Sequence, residues 1–119
     1  MAKPDISSGR ALDDAAVRDV IKRYGQAFEQ RDADALRKIW PGMGKKYEKY
    51  KGIFASVAVI TYQVNIEKVE VASDNQEATV NALFTEAATV KGKKPQSISD
   101  KAVFELRKSD GTWFITNVR

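Results

Sequence analysis

The chain has 119 residues, of which 43% are hydrophobic and 30% charged, and its net charge is +4 with a pI near 9.3. These values are typical of one globular domain and are too weakly basic to indicate a nucleic-acid-binding protein. The sequence contains no cysteine and no histidine, which excludes disulfides, zinc sites and Ser-His-Asp catalysis.

The first 12 residues are rich in serine, charge and turn-forming residues, and we expect them to form a flexible polar tail or linker. They contain no apolar stretch of the kind found in signal peptides. No apolar run in the sequence is long enough to span a membrane. We therefore expect one domain over residues 13–119, cytoplasmic by default, which could be tethered to a larger protein.

A long amphipathic helix is predicted next. Apolar residues recur at intervals of three and four positions from Val17 to Phe28, which predicts a helix over residues 14–31. Asp13 or Asp14 is the expected N-terminal cap of this helix.

Two short helices follow in the prediction. Asp32 is the expected cap of the first, which ends at Pro41-Gly42 because proline cannot continue a helix and glycine turns freely. The second is predicted from three aromatic residues at intervals of three and four: Tyr47, Tyr50 and Phe54.

From Val57 onward, apolar and polar residues alternate with a period of two, which predicts β-strands. The apolar phase slips by one residue near Glu67-Lys68, so we expect a β-bulge there. The turn sequences SDNQ, KGKKPQ and KSDG divide this segment into four strands joined by hairpins. Helices followed by strands predict an α+β domain, with three N-terminal helices packed on a curved four-stranded antiparallel sheet.

Three segments in this order carry a family resemblance: YGQAFEQRDADALRKIW, NQEATVNALF and FELRKSDGTWFITNV. Over residues 14–119 the chain resembles the nuclear transport factor 2-like superfamily, also called SnoaL-like. The resemblance implies a cone-shaped half-barrel whose long helix closes the concave side of the sheet and leaves a pocket. Such domains are often homodimers through the outer sheet face, and they occur in bacterial multidomain proteins. The superfamily contains both enzymes and non-catalytic modules, so the fold does not determine the function.

Ketosteroid isomerases are a branch of this superfamily. By resemblance, Tyr24 matches the position of their oxyanion-binding tyrosine. In that branch the tyrosine acts with a neutral carboxylic acid and with a second carboxylate that moves the proton. Ala102 stands at the first acid position, and the segment WPGMGKK has no acid before Glu48 where the second is expected. The resemblance therefore does not extend to isomerase chemistry, and we predict no catalytic residue.

Asp100 is the nearest substitute for the missing acids, because it shares the strand parity of Ala102 and Phe104. A buried carboxylate there could act as a base, but we expect a hydrated position at the open end of the strand. Tyr24 is expected to be a core residue whose hydroxyl reaches the pocket edge. Either the aromatic residues of the domain simply fill its core, or they line a pocket with a few polar groups. That predicted pocket consists of Tyr24, Trp40, Tyr62, Phe84, Asp100, Trp113 and Asn117.

Two charged segments have simpler explanations than a binding site. Asp32 and Asp34 could bind a hard metal ion, but a helix cap followed by a first-turn acid explains them better. The lysine-rich segment 45–51 could contact an anionic surface, although we expect a solvated helix face. We therefore predict no metal, no cofactor and no nucleic-acid partner.

Two functional hypotheses remain. The first is a non-catalytic module that binds a small apolar ligand or a protein partner as a homodimer, and the absence of the isomerase acids favours it. The dimer would bury the outward-facing residues Leu83, Val103 and Phe114. The second is an isomerase, cyclase or hydrolase acting on a small hydrophobic carbonyl substrate, with Tyr24 as electrophile and Asp100 as base.

Overall fold

The computed structural model describes the backbone of residues 5–119 and the side chains of residues 12–119. The strands form one antiparallel sheet in the order β1-β2-β3-β4, so each hairpin joins neighbouring strands. This arrangement confirms the predicted α+β class, with three helices on a curved four-stranded sheet. The α-helices are α1 (Asp5–Glu29), α2 (Ala33–Ile39) and α3 (Lys46–Ser56), with a short 3-10 helix (Pro41–Met43) between α2 and α3, and the strands are β1 (Val57–Val71), β2 (Glu77–Val90), β3 (Gln96–Ser109) and β4 (Thr112–Val118).

Helix α1 packs its apolar stripe into the core, where Val17, Ile21 and Phe28 are buried. The helix begins at Asp5, earlier than the predicted start at residue 14, and so includes much of the segment expected to form a tail. Residues 1–4 of that segment lie outside the described residues. The domain boundary at residue 13 stays a prediction. None of the described helices is long and apolar enough to cross a membrane.

Asp13 connects α1 to strands β3 and β4 of the sheet. Asp13 and Asp14 both lie inside α1, so the predicted cap at these positions is wrong. The Oδ1 atom of Asp13 accepts hydrogen bonds from Lys108 Nζ at 2.9 Å and from Trp113 Nε1 at 3.2 Å. Because Asp13 is buried, this shared acceptor fixes the helix against β3 and β4.

The junction between α1 and α2 is held by an arginine and by a helix cap. Arg31 has a left-handed backbone with φ 52°, and its guanidinium donates hydrogen bonds to the carbonyls of Val57 and Ala58. Asp32 caps α2 as predicted, because its Oδ1 accepts the backbone N–H of Ala35 at 3.0 Å. These contacts place the C-terminal end of α1 over the beginning of β1.

Three register shifts interrupt the pairing of the strands. In β1 the register shifts between Ile66 and Lys68, which confirms the predicted bulge, and it also shifts between Val57 and Val59 at the start of the strand. A further unpredicted bulge lies at Thr116 in β4. Because side chains alternate along a strand, a one-residue bulge moves all later side chains to the opposite face.

The β2–β3 hairpin extends beyond the end of β4. Val118, the last residue of β4, lies opposite Phe104, so the first half of β3 has no partner from β4. Residues 91–100 are all exposed. The helices therefore leave part of the concave face of this hairpin uncovered.

Candidate functional site

A cavity of about 420 Å³ opens between α1, α3 and the concave face of the sheet. Both helices and the strands that they cover contribute residues to its wall. The lining residues include Tyr24 and Phe28 of α1, Tyr50 and Ile53 of α3, Tyr62 of β1, and Phe84 and Glu86 of β2. Charged residues also line it, namely Lys49, Asp100, Lys101 and Arg119.

Aromatic rings pack closely around this cavity. The ring centroid of Tyr24 lies 4.9 Å from that of Phe28, 5.7 Å from that of Tyr62 and 5.0 Å from that of Phe104. Tyr62 in turn stacks on Phe84, with centroids 5.7 Å apart and ring planes 4° from parallel. These contacts make the wall a rigid surface that suits flat apolar groups.

The position of Tyr62 depends on a close approach between α1 and β1. A Cβ atom added at Gly25 would lie only 3.2 Å from Cδ1 of Tyr62, so a larger residue there would displace the ring. The backbone N–H of Tyr62 also donates a hydrogen bond to Oε2 of Glu29 at 3.2 Å. Helix α1 thus holds both the backbone and the ring of this cavity residue.

Three tyrosine hydroxyls supply polar groups in this aromatic wall. Burial raises the pKa of Tyr24 above its ordinary value, and the neighbouring Tyr62, Tyr50 and Glu86 raise it further. Burial also raises the pKa values of Tyr50 and Tyr62, with Glu86 as the next cause. All three phenols therefore stay protonated at neutral pH and can donate hydrogen bonds to a ligand oxygen.

Glu86 is an acidic group of the cavity that the sequence-based prediction does not include. It follows Phe84 by two residues in β2, so it faces the same side of the sheet, and it is half-buried. Burial raises the pKa of its carboxyl group above the ordinary value, and no hydrogen bond or ion pair within the described chain offsets that burial. Extending the alternation from Ala78 to Phe84 by one more step would identify this residue.

Asp100 lies at the mouth of the cavity but is exposed to water. Its Oδ1 accepts the backbone N–H of the next residue, Lys101, at 2.8 Å. This is the hydrated position expected for it, at the open end of β3. Of the two acids on this face, Glu86 is therefore the better placed to exchange a proton with a bound molecule.

The structure brings together four of the seven residues of the predicted pocket, namely Tyr24, Tyr62, Phe84 and Asp100. Trp40 and Trp113 are instead buried in the core. Asn117 faces Glu105, whose Oε1 accepts a hydrogen bond from Asn117 Nδ2 at 3.4 Å. The bulge at Thr116 causes this orientation, because it reverses the parity on which the prediction for Asn117 depends.

The two acids considered as metal ligands are engaged in other contacts. Asp32 caps α2, and Asp34 accepts a hydrogen bond from the hydroxyl of Tyr47 at 2.6 Å. Over the part of the chain that the structure describes, no group of three or more potential ligand side chains is arranged to hold a metal ion.

No family model and no curated protein matches the chain. Solved structures, in contrast, show clear similarity in fold. A conserved protein from Planctomyces limnophilus has a TM-score of 0.81 at 16% identity, over 91% of this chain and 94% of that chain. A nuclear transport factor 2-like superfamily protein from Salmonella enterica has a TM-score of 0.79 at 11% identity, over 92% and 90% of the two chains.

A type 2 hexachlorocyclohexane dehydrochlorinase is similar as well. Its TM-score is 0.75 at 16% identity, and the match covers 94% of this chain and 86% of that chain. Identities this low establish the fold alone, because one fold can host many activities. The chain has the cone-shaped α+β fold of the nuclear transport factor 2-like, or SnoaL-like, superfamily.

Proposed function

We propose that the domain is a non-catalytic module that binds a small, largely apolar ligand in its aromatic cavity. The observation that carries this proposal is the wall of Tyr24, Tyr62 and Phe84 around a space of about 420 Å³. Concave spaces of this size that combine apolar and aromatic walls with polar groups are typical small-molecule sites. A flat ligand with a carbonyl or hydroxyl oxygen would stack on the rings and accept a hydrogen bond from a phenol.

The proposal includes a homodimer formed through the convex face of the sheet, which could also serve as a contact for a protein partner. Leu83 on this face is 37% exposed, and Val103 and Phe114 are half-buried. Apolar side chains of this kind are removed from water when a second copy of the domain covers them, which stabilises the dimer. Tethering to a larger protein would be compatible with such a module.

Ligand binding is tested by isothermal titration with a panel of small cyclic ketones, lactones, epoxides and alcohols. Tyr24→Phe keeps the ring and removes the hydroxyl, so it should weaken an oxygen-bearing ligand by about 1 kcal/mol, the usual value of one hydrogen bond. The matched control is Tyr47→Phe, because the hydroxyl of Tyr47 is bonded to Asp34 outside the cavity. Failure of every panel member to bind the wild type would contradict the proposal.

Glu86 favours a second candidate, an enzyme that acts on a small hydrophobic carbonyl substrate. A carboxyl group whose pKa is raised by burial is suited to accept and return a proton. The hydroxyl of Tyr24 could stabilise the negative charge that develops on a carbonyl oxygen. A dehydrochlorinase has the same fold, which supports testing the domain for catalysis. In this candidate, Glu86 takes the role of base that the sequence assigns to Asp100.

Turnover by the wild-type protein separates the two candidates. The same panel is incubated with the protein, and products are followed by chromatography. Loss of a general base should lower the rate by about a hundredfold or more, so an enzyme would lose most of its activity in Glu86→Gln. Asp100→Asn is the matched control, since Asp100 is an exposed acid at the same cavity. Binding without any turnover would leave the non-catalytic module as the function.

A further inference from the structure

A groove continues the aromatic cavity along the β2–β3 hairpin. It encloses about 230 Å³ on the concave face. Glu86 lines both this groove and the aromatic cavity, so the two spaces meet at its side chain. The other residues that line the groove are Ala88, Val90, Lys93, Lys94, Gln96 and Ile98.

The floor of the groove is apolar and open to water. Ala88 and Val90 follow Glu86 on the same face of β2, and Ile98 of β3 lies directly opposite Glu86. Val90 is 38% exposed and Ile98 is 61% exposed. Neighbouring apolar side chains that remain in water form a surface that an apolar chain would cover favourably.

The two ends of the groove differ in charge. Lys93 and Lys94 lie in the turn that closes the far end. Within the described chain neither lysine forms an ion pair. At the near end, two acids and two lysines line the aromatic cavity together, namely Glu86, Asp100, Lys49 and Lys101, and the one further cation there, Arg119, pairs with Glu105. An anionic group would therefore be attracted more strongly to the turn, where no acid of the described chain offsets the two lysines, than to the cavity.

We propose that the ligand is an elongated amphiphile with a carboxylate at one end, an inference that rests on the proposed binding function. Its neutral apolar end would occupy the aromatic cavity, and its chain would lie on Val90 and Ile98. Its carboxylate would meet Lys93 and Lys94. Four residues of extended strand separate the cavity from the turn, so the chain would span about 13 Å at about 3.3 Å per residue.

Three phenylalkyl compounds test this inference. Phenyldecanoate carries its ring and its carboxylate at opposite ends, phenylbutanoate has a shorter chain, and phenyldecanol lacks the charge. In isothermal titration below micellar concentrations, phenyldecanoate should bind at least about tenfold more tightly than phenylbutanoate, because its additional methylenes leave water. It should bind about threefold more tightly than phenyldecanol at low salt, the scale of exposed ion pairs.

Variants test which residues of the groove produce the preference for a carboxylate and the preference for a longer chain. The double change Lys93→Gln and Lys94→Gln should abolish the preference for the acid over the alcohol. Ile98→Asp should abolish the advantage of the longer chain, and it leaves the core intact because Ile98 is exposed. The control is Lys38→Gln with Lys45→Gln, two exposed lysines that line neither space.

The outcomes distinguish this inference from the proposed function. If the small cyclic ligands bind but chain length and charge have no effect, the inference is wrong and the proposed function stands. If neither the cyclic panel nor the phenylalkyl compounds bind, both are wrong.

Discussion

The carboxyl group of Glu86 is half-buried beside the rings of Tyr24, Tyr50 and Tyr62. In water, hydration stabilises the ionised form of a carboxyl group, and the cavity removes part of that hydration. No cation or hydrogen-bond donor within the described chain compensates for this loss. The ionised form of Glu86 therefore destabilises the folded domain unless a ligand donates a hydrogen bond to it.

This burial predicts a pH-dependent effect of Glu86→Gln on stability. Since the folded pKa of Glu86 is raised, the folded domain retains its proton at pH values where the unfolded chain has lost it. The free energy of unfolding that Glu86 contributes thus falls as the pH rises above 4.5, the ordinary pKa of glutamate. Urea denaturation should show the variant gaining stability relative to the wild type between about pH 4 and about pH 7.

The exposed acid Asp100 supplies the control for this measurement. Asp100→Asn removes an acid from the same cavity without relieving any burial. If Glu86→Gln and Asp100→Asn showed the same dependence on pH, Glu86 would have to be hydrated in the folded domain.

Among the elements, α1 depends on contacts that are distant in sequence. Asp13 and its donor Lys108 are separated by 95 residues. A buried carboxylate that accepts two hydrogen bonds is stabilising only while both donors remain in place. The two hydrogen bonds of Asp13 therefore set the position of α1 relative to β3 and β4. They also set the position of Tyr24, which lies on the same helix.

Asp13→Ala should lower the free energy of unfolding by about 3 kcal/mol, because it leaves a partly buried ammonium and an indole N–H without their acceptor. The adjacent residue gives a matched control. Asp14 forms an exposed ion pair with Arg18 one helical turn away, and Asp14→Ala should lower the free energy by at most about 0.5 kcal/mol. Equal effects of the two variants in chemical denaturation would contradict the role of Asp13.

Periodicity predicts the elements of this domain well where one pattern runs without interruption. The stripe of α1, the cap at Asp32 and the bulge in β1 all follow from local sequence. A similar phase slip marks β4, where the apolar phase moves from Ile115 to Val118, and it places Asn117 on the face opposite to the predicted one. The role of Asp13 has no local signal, because the tertiary fold alone brings its donors together.

Part of the candidate site can also be predicted from the periodicity of apolar residues. Tyr24, Tyr62 and Phe84 follow from the apolar face of a helix and of two strands. Glu86 breaks the apolar series of β2 while keeping its parity, so hydrophobic patterning alone passes over it. Whether Asp100 is exposed or buried near the end of its strand depends on how far the helices cover the sheet.

At the scale of the whole molecule, the two faces of the sheet differ in character. The concave face is covered in part by helices and holds the aromatic cavity. On the convex face, Leu83 lies opposite Lys101 and Phe114 lies opposite Arg107, and the hydroxyls of Thr85 and Ser99 are hydrogen-bonded at 2.9 Å. In the proposed dimer this face would pack against a copy of itself, with the two copies related by a twofold axis.

The dimer proposal predicts that Leu83→Lys produces a monomer. A twofold interface would bury two unpaired ammonium groups, which should raise the dissociation constant by about a hundredfold. Sedimentation velocity at high micromolar concentration should show a dimer for the wild type and a monomer for the variant. The control is Ile53→Lys, because Ile53 is 39% exposed but lies at the cavity on the other side of the sheet. A wild-type protein that sediments as a monomer would exclude the dimer, and a monomer produced equally by Ile53→Lys would place the interface on the helical side.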